Sequence, residues 1–168
     1  MNTEKLVTEI VTLNADKKLV GKTRLQKTFY LLDQLGMNSD AEFDYHHYGP
    51  YSEDVASAAE MATLLYDFEA DERRSGARDV TYVVYSSKEK QPKALGNLSQ
   101  DRAKAALTSM ASVSDVVLEL AATMVFLRNN GYEKDFVDEV RERKPLKATE
   151  DRLRRAQDLI KELGLDRN

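Results

Sequence analysis

The chain has no cysteine and no tryptophan, and only two histidines and three prolines in 168 residues. Without cysteine there is no thiol nucleophile, no thiolate metal site and no disulfide framework, and the composition fits a reducing, cytoplasmic setting. A zinc ion would have to rely on carboxylates and on His46 and His47. Adjacent residues of a strand point to opposite faces and cannot chelate one ion together, so neither metal nor cofactor is expected. Long hydrophobic runs are missing as well. The longest spans residues 116–127 and is interrupted by Glu119, well short of the roughly 20 residues that cross a bilayer. Residues 1–5 lack the basic and apolar regions of a signal peptide, so neither export nor a membrane span is expected. An excess of positive charge is also absent: 25 Lys and Arg face 29 Asp and Glu, a formal charge of −4. A nonspecific binder of polyanions is disfavoured by that balance.

Signatures of catalysis are equally sparse. There is no Gly-x-Ser-x-Gly elbow. Gly21-Lys22-Thr23 ends like a phosphate-binding loop, but the glycine required five residues earlier is Asp16. The chain is therefore read as non-enzymatic.

What remains is a well-patterned globular sequence with 42% hydrophobic and 32% charged residues. Leu6, Ile10 and Leu13 predict a helix over 3–14. Thr23 and Gln26 have the spacing of a capping box for a second helix. Its apolar face would carry Leu25, Phe29 and Leu32, with Arg24, Lys27 and Gln34 on the polar side and Gly36 as the stop. Phe43, Tyr45 and His47 alternate with Asp44, His46 and Tyr48, the period of a half-buried strand, with Gly49-Pro50 ending it. One histidine ring should then face the core and the other solvent. Ser52 caps a third helix built on Val55, Ala58, Ala59, Ala62 and Leu65, with Glu53 and Asp54 in its first turn. Strand-like runs at 68–72 and 80–85 flank a long basic tip carrying Arg73, Arg74 and Arg78.

Helix, helix, strand, helix and hairpin is the order of a winged helix. Residues 86–98 read as a linker, and four further helical patterns follow. The first runs from Ser99 or Gln100 to about Met110. Ser114 caps the second, which is apolar almost all round and should be central. The third spans 133–143 before Pro145, and the last starts at Thr149 and ends at Gly164. The expected fold is mainly α with a small β component (α+β): a winged-helix-like part over 1–90 packed with a helical domain over 99–168.

In a winged helix the third helix normally enters the major groove of DNA. Here residues 52–63 contain three acids and no Lys or Arg, and residues 1–90 carry 11 basic and 16 acidic side chains. Phosphate contacts supply much of DNA affinity, so this helix would repel the backbone that it must approach. Nucleic-acid binding is left to Arg73, Arg74 and Arg78 on the wing as an alternative reading.

Residues 21–32, Gly-Lys-Thr-Arg-Leu-Gln-Lys-Thr-Phe-Tyr-Leu-Leu, followed by Tyr45-His46-His47-Tyr48-Gly49-Pro50-Tyr51-Ser52, resemble the signature of the YwgA-like family of bacterial proteins. They are more distantly similar to the Panacea or SocA-like antitoxin domain. Residues 118–123 resemble the later helical part of the YwgA group. The Panacea pattern commonly has Trp before Gly-Pro and Val after it, and this chain has Tyr on both sides. The resemblance implies a protein-binding module that neutralises a toxin-like partner or presents one for degradation. Tyrosine and arginine are favoured interface anchors, which makes Arg24, Lys27, Tyr45, His46, Tyr48 and Tyr51 the candidate partner contacts. For any one residue of this region, Leu25, Phe29, Tyr45 and Gly49-Pro50 included, seating the second helix against the strand is the favoured role. The last helix is a candidate homodimer contact.

Overall fold

A computed structural model describes residues 2–166 and has an α+β architecture. Among the described residues there are seven α-helices: α1 (Thr3–Leu13), α2 (Lys22–Leu32), α3 (Glu53–Leu65), α4 (Gln100–Ala111), α5 (Asp115–Asn129), α6 (Phe136–Arg143) and α7 (Glu150–Glu162). Five begin at a cap that the sequence supplies, since Asn2, Ser52, Ser99, Ser114 and Thr149 each accept a hydrogen bond from a backbone N–H three residues on. These caps satisfy donors that a helix start leaves orphaned. No helix among the described residues is long and apolar enough to cross a membrane.

Seven strands among the described residues accompany them: β1 (Lys18–Val20), β2 (Asp44–His46), β3 (Gly49–Tyr51), β4 (Phe68–Ser75), β5 (Val80–Ser87), β6 (Ala94–Leu95) and β7 (Leu98–Ser99). The main sheet is antiparallel in the order β1-β5-β4, with Leu19 opposite Tyr85 and Ala70 opposite the same tyrosine on the other side. β2 with β3 and β6 with β7 form separate two-stranded hairpins.

Several local expectations are corrected. Gly49 and Pro50 do not end a strand. They open β3, the turn falls at His47 and Tyr48, and neither histidine ring is buried. The strand pair β4–β5 is longer than its alternation suggested, so Arg73 and Arg74 lie within β4 and only residues 76–79 form the tip. Part of the stretch read as a linker, residues 86–98, belongs to β5 and the β6–β7 hairpin. Thr23 and Gln26 form no capping box. α2 starts two residues earlier, behind Gly21, without a side-chain cap, and Gln26 is spent on a tertiary contact. Its amide donates to Ser52 O (2.9 Å) and accepts from Ser52 N–H (2.9 Å). Ser52 is the buried cap of α3, so one side chain ties α2 to the start of α3.

Replacing Gln26 with leucine should cost about 2 kcal/mol, because a buried N–H and a buried C=O lose their partner together. Urea denaturation checks this, and an unchanged midpoint would contradict it.

α5 has almost no polar face because it is enclosed on nearly every side, packing against α2, α6, α7 and β3. Phe29 and Leu31 of α2 and Leu118, Leu120 and Met124 of α5 all belong to a single buried cluster. The core thus runs through both the N-terminal and the C-terminal helices. α3 uses Val55, Ala58, Ala59 and Ala62 as foreseen, but Leu65 is exposed, as are Met61 and Leu64.

Candidate functional site

The β2–β3 hairpin is held at three points. Lys27, expected on the polar side of α2, is instead only 2% exposed and donates from Nζ to Pro50 O (2.8 Å). Gly49 lies so close to α5 that a Cβ there would collide with Thr123 Oγ1, and its φ of 96° is a conformation that glycine alone adopts without strain. Lys144, just past α6, donates to His47 O (3.1 Å).

Beneath the hairpin lies a buried charge cluster that composition did not reveal. Glu119 on α5 is 4% exposed. Its carboxylate pairs with Lys144 Nζ (2.7 Å) and with Lys147 Nζ (3.0 and 3.1 Å). Lys147 also lies 4.6 Å over the Tyr48 ring, and Arg143 4.7 Å over the Tyr45 ring. Each is a cation–π contact that ties an aromatic of the hairpin to the α6–α7 region. The signal available in the sequence was Glu119 itself. An acid inside an apolar helix must be neutralised by something, and Lys144 and Lys147 follow 25 or more residues later.

Above that base, His46 stacks on Tyr51 at 4.6 Å, and Tyr48 is 50% exposed. These aromatics form one rim of a cavity of about 650 Å³. It is lined further by Gln26 and Lys27 of α2, by Glu53 and Glu60 of α3, and by Glu72 and Tyr85 of β4 and β5, and Glu53 is hydrogen-bonded to Tyr51 of the rim. Burial lowers the Lys27 ammonium to about 8; the nearby Glu119 opposes the shift, and Lys144 and Lys147 reinforce it. No group of three or more His, Asp or Glu side chains among the described residues is placed to hold a metal ion.

The six candidate partner contacts therefore separate. Lys27, His46, Tyr48 and Tyr51 share the cavity. Tyr45 faces Phe126 and Arg143. Arg24 is occupied elsewhere: it pairs with Asp115 (2.5 Å) and donates to Met110 O and Val113 O, bridging the α4–α5 connection. Of the wing arginines, Arg73 pairs with Asp71 (2.9 Å) and Arg74 with Asp79 (2.8 Å), while Arg78 is exposed at the tip.

No protein-family model matches the chain, and no solved structure matches it. Over 117 residues the chain is 27% identical to the uncharacterised protein YwgA of Bacillus subtilis (strain 168). The match covers 65% of this chain and 66% of that relative, just under two thirds of its length.

Proposed function

We propose that this protein is a non-enzymatic protein-binding module whose contact surface is the β2–β3 hairpin tip and the cavity beside it. The observation that carries the reading is an aromatic rim, with His46 and Tyr48 exposed and Tyr51 half-buried, standing on a hairpin anchored by Gly49, Lys27 and Lys144. Rigid aromatics bury a large area at small entropic cost, which is what an interface anchor requires. The likeness of residues 21–52 to the antitoxin domain supports a toxin-like bacterial protein as the partner.

The test is co-purification of the tagged chain from its native host. A stoichiometric protein partner is expected with the wild type, and Tyr48→Ala should weaken it by about 2 kcal/mol, roughly 30-fold, with little change in thermal melting. A partner retained in full by that variant would move the interface elsewhere.

A second reading is supported by the strand order β1-β5-β4 joined to α1, α2 and α3, a winged-helix-like connectivity. It makes the chain a DNA-binding regulator that uses Arg73, Arg74 and Arg78. Against it stand the acids of α3 and the ion pairs that already engage Arg73 and Arg74. Tight, salt-sensitive retardation of genomic fragments with no protein recovered would favour it over the first.

A further inference from the structure

The cavity beside the hairpin is lined by three glutamates, Glu53, Glu60 and Glu72. Glu53 and Glu60 stand two turns apart on α3, with Ala56 and Ser57 between them on the same face. Those small side chains leave the space open. Glu72 comes from β4, where strand alternation sets Ala70 and Glu72 on the face that carries Val83 and Tyr85 of β5, and Glu69, Asp71 and Arg73 on the other. Arg73 therefore pairs with Asp71 and is turned away from Glu72. Among the described residues none of the three glutamates is in an ion pair. Two lysines also belong to the lining. Lys22 is exposed at the start of α2, and the Lys27 ammonium is committed to Pro50 O.

Tyr85 of β5 supplies an independent observation. It is 4% exposed, lines the cavity and stacks on Phe68 at 6.0 Å, which fixes its ring. A buried phenol normally finds a hydrogen-bond partner, and the Tyr85 hydroxyl has none among the described residues. Arg128 Nε is the one side-chain atom there that is both sealed and unpartnered, so the Tyr85 hydroxyl meets open space. Glu60 and Tyr51, the neighbours whose charge acts on that hydroxyl, belong to the same lining. At the rim Tyr51 donates to Glu53 and stacks on His46 at 4.6 Å, which holds a carboxylate beside an aromatic pair.

We propose that the cavity takes a basic side chain of the protein partner, its cation seated between the α3 and β4 glutamates against the Tyr85 hydroxyl and covered by the rings of Tyr51 and His46. Three carboxylates and a phenol oxygen form a set of acceptors, and a guanidinium or ammonium supplies donors to them and gains from the rings. An acidic ligand would meet three like charges. A volume of about 650 Å³ also leaves room for the residues that flank the basic one. The source of the cation rests on the reading of the hairpin tip and cavity as one protein-contact surface.

NMR titration of the full chain with isotope-labelled tyrosine rings, together with calorimetry, provides the test. The probe is acetyl-Ala-Arg-Ala-amide, with counterparts that carry lysine, citrulline or glutamate in place of arginine. Agmatine stands for a free cation. The arginine and lysine peptides are expected to shift the Tyr51 and Tyr85 ring signals saturably, and the citrulline and glutamate peptides are not. Glu60→Gln, at an exposed position of α3, should weaken the arginine peptide about tenfold, the worth of a hydrogen bond to a charged group. Tyr85→Phe should weaken it about fivefold without lowering the melting temperature, because the hydroxyl removed holds nothing in the folded chain. A purely structural tyrosine would give the opposite pattern, with stability lost and binding kept. Affinity should also fall as salt is raised. Equal binding of the citrulline peptide, unchanged affinity in either variant, or agmatine binding tighter than the peptide would overturn the assignment. Failure of this inference and failure of the contact surface are distinguishable. A stoichiometric partner recovered from the native host, with no peptide-induced shift, would sink the inference and leave the surface. Peptide binding with no partner recovered would sink the surface and leave the cation site.

Discussion

Replacing Glu119 with alanine is expected to lower stability by about 3–5 kcal/mol, the range for a buried ion pair that loses one partner. In a chain of this length that corresponds to a fall in melting temperature of about 10 °C. The reason is the imbalance around it. Among the described residues Glu119 is the only acid paired with Lys144, which is 6% exposed, and it also pairs with Lys147. Without it, at least one ammonium remains enclosed with no counter-charge, and Lys27 loses the one nearby charge that favours its protonated form. Lys144 also holds the carbonyl of His47, so the hairpin should loosen with the cluster. Glu119→Gln should cost nearly as much, because it keeps the shape and removes the charge. Converting the triad together, Glu119→Leu with Lys144→Met and Lys147→Met, should recover most of the loss, since the desolvation cost of all three ions disappears at once. Urea denaturation of the three variants checks the order. A loss below about 1 kcal/mol for Glu119→Ala would show that water reaches the lysines.

The second large effect is expected at Gly49. Gly49→Ala should cost about 3 kcal/mol or more through two separate causes. A residue with a Cβ is strained at a φ of 96°, and the new methyl would have to occupy the space of Thr123 Oγ1, which the packed backbone of α5 cannot vacate. The causes can be separated. Thr123→Ala removes the obstructing hydroxyl, losing only its bond to Glu119 O. The Gly49→Ala/Thr123→Ala pair should therefore be more stable than the sum of the single losses implies, and the residual deficit should measure the backbone term. Strict additivity would mean that the collision is relieved some other way. Partner binding through Tyr48 should fall with Gly49→Ala beyond what unfolding explains, because the hairpin tip loses its seat.

These two positions also illustrate what was legible from sequence. Features set within one turn of chain were readable: Ser52, Ser114 and Thr149 fall at helix starts because a hydroxyl three residues ahead of an N–H is a local arrangement. The apolar girth of residues 116–127 marked the central helix for the same reason. Readings failed where a side chain is committed to a distant partner. Gln26 has the spacing of a capping residue, but two backbone bonds to Ser52 outcompete the local option. Lys27 was assigned to a polar face by its charge, although its stem is buried and its ammonium reaches Pro50. β1 is not legible in the sequence because three residues carry no periodicity, and it exists only through pairing with β5 more than sixty residues later. Of the candidate site, the aromatics His46, Tyr48 and Tyr51 were found as a group. The acids that line the same cavity, Glu53, Glu60 and Glu72, are not legible as part of it in the sequence, since only the tertiary packing of α3 and β4 brings them there.

The three-stranded sheet has two open edges, and their composition decides how this protein can meet another chain. One edge, β1, offers three residues. The other, β4, reads Phe-Glu-Ala-Asp-Glu-Arg-Arg-Ser, and five of its eight side chains are charged. An added strand would have to set its own side chains beside that row of charges, an arrangement that deters edge-to-edge pairing. The β4 edge is thereby guarded against pairing with an added strand, whether from another sheet or from an extended peptide. On the reading proposed above, recognition would then proceed through side chains and pockets, which makes its specificity sensitive to single residues rather than tolerant of sequence.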